Sequence, residues 1–231
     1  MENAYGRTEK PITMKVPTMN SKELKNPSVS MPIDIGSNPI KNPFIIPGLK
    51  KVNVESQLNP NYSFEHFVEG DCNRLARSAG YAVSNKPGGT AFNPLLIYGG
   101  VGLGKTHLAQ AIGIEIKKNY PNKTVLYIQS EKFISQFIDS VKNNNQNDFI
   151  HFYQLVDVLI IDDVQFFNRA EKSQDAFFSI FNHLHQSGKQ LILTSDKSPK
   201  DLEGVQERLL SRFRWGLSAD LQLPDRKSTR L

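Results

Sequence analysis

Short apolar runs alternate with stretches of helical periodicity along the chain from residue 59 onwards. The apolar runs are typical of buried strands, and the longer stretches repeat apolar residues at the spacing of a helix face. Strands are predicted at residues 94–98, 124–129, 156–161, 190–194 and 215–223, and helices at 71–83, 105–119, 131–142, 148–155, 173–186 and 199–213. Strands that alternate with helices form a parallel sheet covered on both faces, so we predict an α/β domain over residues 59–225.

Residues 1–58 have a different character. They hold seven of the 13 prolines of the chain and no sustained helix or strand period. Such a segment cannot bury enough apolar surface to offset the entropy of ordering it, so we predict a disordered, mostly extended linker. The run at 12–16 also fits a short strand left from an upstream domain.

The composition excludes several classes of protein. No apolar run approaches the roughly 18 residues of a membrane span, and no N-terminal apolar segment indicates export. Cys72 is the only cysteine, which excludes an internal disulfide framework and a cysteine-rich zinc site. A reducing, cytoplasmic setting fits this composition.

The net charge of +5 raises the question of nucleic-acid binding. The charge is unevenly distributed: +3 over residues 1–58, −1 over residues 59–225, and +3 over residues 226–231. The basic character therefore indicates no broad DNA-binding face on the predicted domain. Any contact with a nucleic acid must be local, made by a few placed residues.

A phosphate-binding loop follows the first strand of the predicted domain. Residues 99–106 read Gly-Gly-Val-Gly-Leu-Gly-Lys-Thr and satisfy the pattern G-x-x-x-x-G-K-[ST]. The glycines let backbone N–H groups approach the phosphates of a nucleotide, and the next helix adds the positive end of its dipole. The predicted nucleotide-binding residues are Gly100, Val101, Gly102, Gly104, Lys105 and Thr106, with the Thr106 hydroxyl as a ligand of Mg²⁺.

Two carboxylates end another apolar strand. Asp162 and Asp163 follow the run Val-Leu-Ile-Ile at 158–161. At the carboxyl end of a parallel strand they would point into the crevice where ligands bind. We predict that Asp162 holds Mg²⁺, and that Asp163 orients and polarises the attacking water.

A further apolar strand ends in polar residues at 194–196, and three arginines follow it: Arg208, Arg212 and Arg214. A polar group at this strand end could hold the attacking water. Arg208 and Arg212 are four residues apart and share a helix face, and the arginine fork suits phosphate charge. From spacing alone, solvated arginines that pair with Glu203 or Glu207 are the favoured interpretation.

Taken together, these segments resemble the ATPase domain of the bacterial replication initiator family DnaA, within the AAA+ class. The resemblance covers about residues 58–225. It rests on Phe-Val-Glu-Gly at 67–70, Tyr-Gly-Gly-Val-Gly-Leu-Gly-Lys-Thr-His-Leu at 98–108, Ile-Asp-Asp-Val-Gln-Phe-Phe at 161–167, Leu-Thr-Ser-Asp at 193–196, and Arg-Leu-Leu-Ser-Arg-Phe at 208–213.

The resemblance implies roles that spacing cannot assign. Asp196 matches the sensor 1 position that reads the γ-phosphate. Arg212 matches the arginine finger that acts on ATP bound by a neighbouring protomer, and Arg208 matches an arginine linked with assembly. Ile138 and Lys172 match contacts with single-stranded DNA, although core packing is the favoured interpretation of Ile138 without the resemblance. Many family members carry arginine at the position of Lys172, so here only the charge is kept.

The resemblance also implies a three-layer P-loop AAA+ fold with a five-stranded parallel sheet. The helical lid and the helix-turn-helix domain of the family are absent from this sequence. Residues 226–231 depart from the family register and form an uncertain tail.

The implied function is that of an ATP-binding initiator of chromosomal replication, cytoplasmic and nucleoid-associated. It would form an ATP-dependent filament on origin DNA, promote strand opening, and be reset by weak, switch-like ATP hydrolysis. Duplex DNA would be bound through the missing C-terminal domain and the replicative helicase through a missing N-terminal domain; contact with lipid stays open.

Two other classes remain open at this point. A short AAA+ accessory protein, such as a helicase loader or a regulator of the initiator, would lack a duplex-binding domain. A small-molecule P-loop kinase would need a dedicated acceptor pocket.

Overall fold

The computed structural model describes residues 55–223, and the predicted segments at 12–16 and 226–231 lie outside this range. The strands are β1 (Leu95–Gly99), β2 (Val125–Gln129), β3 (Val158–Asp162), β4 (Gln190–Ser195) and β5 (Leu217–Leu221). The α-helices are α1 (Arg74–Asn85), α2 (Lys105–Asn119), α3 (Ser130–Lys142), α4 (Gln146–Gln154), α5 (Glu171–Gln186) and α6 (Glu207–Phe213), and a 3₁₀ helix spans Val164–Arg169.

All five strands are parallel and lie in the order β2-β3-β4-β1-β5. The sheet confirms the predicted five-stranded architecture. Because the strands are parallel, the loops that follow β1, β3 and β4 leave from one edge of the sheet. This edge is where crevices for ligands form in α/β folds.

Alternate residues of each strand pack on opposite faces of the sheet. Leu95 and Ile97 of β1 lie in one buried cluster with α1 and α2, whereas Leu96 lies in the other, with α3, α5 and α6. The aromatic centre of the second cluster is Phe133 of α3. Its ring meets Phe149, Tyr153, Phe167 and Phe177 edge to face, at centroid distances of 5.0–5.8 Å. Helices on both faces give the predicted three layers.

The prediction of a helix at 199–213 is wrong for residues 199–206, because only Glu207–Phe213 is helical. Gly204 has a φ of 75° and lies against the backbone of Asn168. The buried side chain of Gln174 replaces helical hydrogen bonds: its amide donates to the Gly204 carbonyl at 3.1 Å and accepts from the Gln206 N–H at 2.7 Å. This long-range contact overrides the local helical pattern.

The remaining element boundaries differ from the predicted ones by one to three residues at most. The packed domain includes a few residues before the predicted boundary at 58/59. The Ser56 carbonyl accepts a hydrogen bond from the Tyr127 N–H at 3.0 Å, and Leu58 packs against the cluster formed with α2. No helix among the described residues is both long and apolar enough to cross a membrane.

Candidate nucleotide site and flanking surfaces

A cavity of about 340 Å³ opens at the edge of the sheet where β1, β3 and β4 end. Its lining combines the loop after β1 with the acidic strand ends: Tyr62, Val101, Gly102, Gly104, Lys105, Thr106, His107, Asp163 and Asp196. The structure therefore brings together the phosphate loop and the two strand ends that the sequence placed far apart.

The loop after β1 has the conformation that its glycines allow. Gly102 and Gly104 have φ angles of 80° and 91°, a region that other residues rarely adopt. Gly104 precedes the first residue of α2, so the N–H groups at the start of this helix face the loop. Lys105 is only 6% exposed, and its ammonium donates to the Gly100 carbonyl at 2.8 Å and pairs with Asp196 at 2.7 Å.

Asp162 is buried and accepts hydrogen bonds from three hydroxyl groups. Thr106 donates at 2.9 Å, Tyr127 donates at 2.7 Å, and Thr194 donates to the other carboxylate oxygen. Burial and the neighbouring Asp162 carboxylate raise the pKa of Tyr127, which keeps the phenol protonated as a donor. Carboxylate and hydroxyl oxygens side by side are the donor set that suits Mg²⁺, so the Thr106 and Asp162 pair fits the predicted metal.

Asp163 lies beside this carboxylate in a different environment. Its backbone is left-handed, with φ of 60°, and its N–H donates to the Thr194 hydroxyl at 2.8 Å. Burial raises the pKa of the Asp163 carboxyl, whereas a hydrogen bond from the Gln165 amide at 3.1 Å lowers it. The same Gln165 side chain accepts from the Asp196 N–H at 3.2 Å and so joins the ends of β3 and β4.

Sequence reasoning gave no role to Tyr127 or Gln165, and gave the polar strand end at 194–196 only a candidate role in holding water. The structure shows that Tyr127, Gln165 and Thr194 all hold the predicted carboxylates in place. A tyrosine in a buried strand is indistinguishable from core until the neighbouring strand is aligned, and the register pairs Tyr127 with Ile160. His107, the residue after the phosphate-loop motif, packs with its ring 5.1 Å from that of Tyr62 and donates a hydrogen bond to the Ser63 carbonyl at 2.8 Å.

The two arginines of α6 lie away from the nucleotide cavity, because neither is among the described residues that line it. Arg208 pairs with Asp175, not with the glutamates proposed from spacing, and its guanidinium lies 4.6 Å from the ring centre of Phe178. Arg212 donates from Nε to Asn182 at 3.0 Å. Arg214 does pair with Glu207, at 3.1 Å, as the interpretation from spacing predicted for one of the three arginines.

Ile138 and Lys172 lie together in a groove of about 620 Å³ between α3 and the start of α5. The lining is Ile134, Phe137, Ile138, Val141, Lys142, Asn168, Ala170, Glu171, Lys172 and Ser173. The core interpretation of Ile138 is wrong, since this side chain is 45% exposed. Phe167 is buried in the core, whereas its neighbour Phe166 is also 45% exposed.

The sheet order, the glycine loop after β1 and the acidic pair after β3 define a P-loop fold of the AAA+ class. Within that class, the sequence model described as the bacterial DnaA ATPase domain matches residues 58–220. The chain belongs to this family.

The curated relatives carry the same family name. The chromosomal replication initiator protein DnaA of Flavobacterium psychrophilum is 61% identical over 225 residues, which is 97% of this chain and 47% of that protein. DnaA of Bacteroides thetaiotaomicron is 55% identical over 82% of this chain and 40% of that protein. The chain thus spans about half the length of these relatives.

Solved structures agree with the sequence comparison. Domain III of DnaA from Thermotoga maritima has a TM-score of 0.72 and 48% identity, over 75% of this chain and 72% of that one. A DnaA described as bound to AMPPCP and single-stranded DNA has a TM-score of 0.70 and 42% identity, over 73% of this chain and 52% of that one. The DnaC helicase loader, at 16% identity and a TM-score of 0.61, shares the fold alone.

Proposed function

We propose that this chain is the ATP-dependent switch domain of a chromosomal replication initiator. The observation that carries the proposal is the convergence of Lys105, Thr106, Asp163 and Asp196 on one cavity, with Asp162 directly behind it. Family membership and the AMPPCP-bound DnaA among the structural relatives support ATP as the nucleotide.

Each group at the site has a separate role in this proposal. Loop N–H groups and Lys105 bind the phosphates, while Thr106 and Asp162 would hold Mg²⁺, which supplies charge neutralisation when bound. Asp163 orients the attacking water, and Asp196 reads the γ-phosphate from the end of β4. A γ-phosphate would compete with Asp196 for the Lys105 ammonium, since the two side chains lie 2.7 Å apart. Hydrolysis is slow and serves to reset the switch.

Arg212 acts on the nucleotide of a neighbouring protomer, and Arg208 supports that contact. The position of both residues outside their own nucleotide cavity supports this role. ATP-bound protomers assemble into a filament on origin DNA, and Ile138 and Lys172 bind one separated strand. Contacts with duplex DNA and with the replicative helicase belong to segments beyond the described domain, and the protein acts in the cytoplasm at the nucleoid.

The proposal is tested first at Lys105. Lys105→Ala should weaken ATP binding by about 100-fold or more, because the buried ammonium that faces the phosphates is removed. Lys117→Ala, which removes the same charge from the last turn of α2, should bind ATP as the wild type does. Equilibrium binding of a fluorescent ATP analogue measures both. Wild-type affinity in Lys105→Ala would exclude the phosphate-loop assignment.

A further inference from the structure

The side chain of Arg212 is held in place on three sides. It belongs to the last turn of the short helix α6. Its Nε donates to Asn182 at 3.0 Å, and its guanidinium lies 4.5 Å from the ring centre of Trp215 and 5.8 Å from that of Phe178. Trp215 is thus the nearer of the two aromatic rings that face this charge.

Trp215 itself is anchored to the core through a stack of rings. Its indole stacks on His185 at 4.5 Å and 13°, and His185 lies parallel to the fully buried ring of Phe181 at 6.1 Å and 7°. The backbone N–H of Trp215 also donates to the Arg212 carbonyl at 3.2 Å. The ring under the guanidinium is therefore fixed by contacts that extend to the centre of the domain.

The backbone that follows Trp215 fixes its position from the other side. A Cβ atom added to Gly216 would lie 2.0 Å from the Pro94 carbonyl oxygen, so only glycine allows this approach. The same carbonyl accepts the Leu217 N–H at 3.0 Å, where β5 begins. Trp215 is nevertheless 57% exposed, which is a high fraction for an indole whose purpose is to fill a core.

We propose that Trp215 is a positioning residue that holds the Arg212 guanidinium in the orientation in which it reaches a neighbouring protomer's ATP. This inference rests on the proposed role of Arg212. Arginine has many rotamers, and a flat aromatic surface with a side-chain acceptor at its edge removes most of them before the contact forms. A group that is pre-oriented loses less freedom when it engages the transition state.

Mixing two variants of the complete gene product measures how much the Arg212 of one protomer contributes to ATP hydrolysis by another. The donor carries Asp163→Asn, so that it retains Arg212 but hydrolyses its own ATP slowly. The acceptor carries Arg212→Ala, so that it needs an arginine from its partner. The mixture should hydrolyse ATP faster than either variant alone, because donor and acceptor together form complete sites.

Trp215→Leu is then added to the donor. The plateau hydrolysis rate of the mixture should fall by about three- to ten-fold, with the KM of the acceptor for ATP unchanged. Trp215→Phe in the donor should retain most of the rate, because a ring face is kept. Trp215→Leu in the acceptor should retain it as well, because that protomer has no Arg212 to position.

Three outcomes contradict the inference, each in a distinguishable way. An equal loss with Trp215→Leu in donor or acceptor would assign the residue to folding or assembly. If the rate does not fall when the donor carries Trp215→Leu, the contact with Asn182 is enough to orient the Arg212 guanidinium. If the donor and acceptor without a change at Trp215 hydrolyse ATP no faster together than either does alone, the proposed role of Arg212 in trans is wrong. The proposed role of Trp215 is then wrong as well.

Discussion

Two adjacent carboxylates at the end of β3 have opposite environments. Asp162 receives three hydroxyl donors, which fix the orientation of its carboxylate, as a metal-holding group requires. Asp163 is partly buried, and burial raises its pKa. A raised pKa makes the ionised carboxylate a better proton acceptor.

Asp163→Asn should separate hydrolysis from binding. The amide keeps the size of the carboxylate but cannot accept a proton, so kcat should fall by about 100-fold or more with the Kd for ATP within about two-fold of the wild type. Single-turnover hydrolysis and equilibrium binding give the two quantities. A parallel loss of both would make Asp163 a structural residue.

Gln165→Leu should move the pH dependence of hydrolysis. The Gln165 amide donates to Asp163 and lowers its pKa, so the loss of this donor raises the pKa further. The rate needs the ionised carboxylate, and the acidic limb of the kcat profile should therefore shift to higher pH. Gln222→Leu, which removes an exposed amide that donates to Asp220, is the matched control. If the rate falls but the acidic limb of the kcat profile does not shift, Gln165 serves only to join the two strand ends.

At the level of the elements, the sequence pattern predicted every strand and the order of strands and helices. Apolar runs such as 158–161 have only one stable placement, inside a covered sheet. The error at residues 199–206 arose because Gln174, about 30 residues earlier, supplies hydrogen bonds there that no local pattern reveals.

The residues of the candidate site fall into two groups in the same way: some are evident from local sequence, and others only from long-range contacts. Residues in the loop and at strand ends were predictable from their types and spacing. Tyr127, and the contact of Thr194 with Asp162, become visible only when β2, β3 and β4 are set side by side.

The Gln174 contact makes a prediction about stability. Gln174→Met keeps the volume but leaves the Phe167 and Gly204 carbonyls and the Gln206 N–H without this partner. We expect a loss of about 1–3 kcal/mol in the free energy of unfolding, measured by urea denaturation. Gln186→Met, at the exposed end of the same helix, should change it by less than about 0.5 kcal/mol. Equal effects of the two changes would refute the bridging role of Gln174.

At the level of the whole molecule, the groove lined by Ile138 and Lys172 lies on the face of the sheet opposite to α1 and α2. The domain has almost no net charge, so a contact with a phosphate backbone depends on individual cations. An exposed apolar side chain next to a lysine provides one surface for a base and one for a phosphate.

Lys172→Ala in the complete gene product should weaken binding of single-stranded DNA and reduce the salt dependence of log K by about 0.7. Binding of duplex origin DNA should stay unchanged, because it is assigned to another domain. Lys118→Ala on α2 removes the same charge from the opposite face and serves as control. Fluorescence anisotropy over a salt series measures these affinities. A similar loss for both kinds of DNA would contradict the assignment of the groove to single strands.

The order of the strands bears on how many nucleotide sites an assembly of protomers can complete. β5 begins beside the start of β1, at Leu217 and Leu95, whereas the phosphate loop leaves the far end of β1, about 13 Å away. Arg212 comes just before β5. With the proposed role of Arg212 in trans, a protomer would lend its arginine to a neighbour's site and not to its own, and subunits would join head to tail. An open row of n protomers would then contain n − 1 complete sites. The nucleotide site of the terminal subunit would lack a neighbour's arginine. On this proposal short rows would hydrolyse less ATP per subunit than long ones, so the fraction of nucleotide hydrolysed would depend on the length of the row.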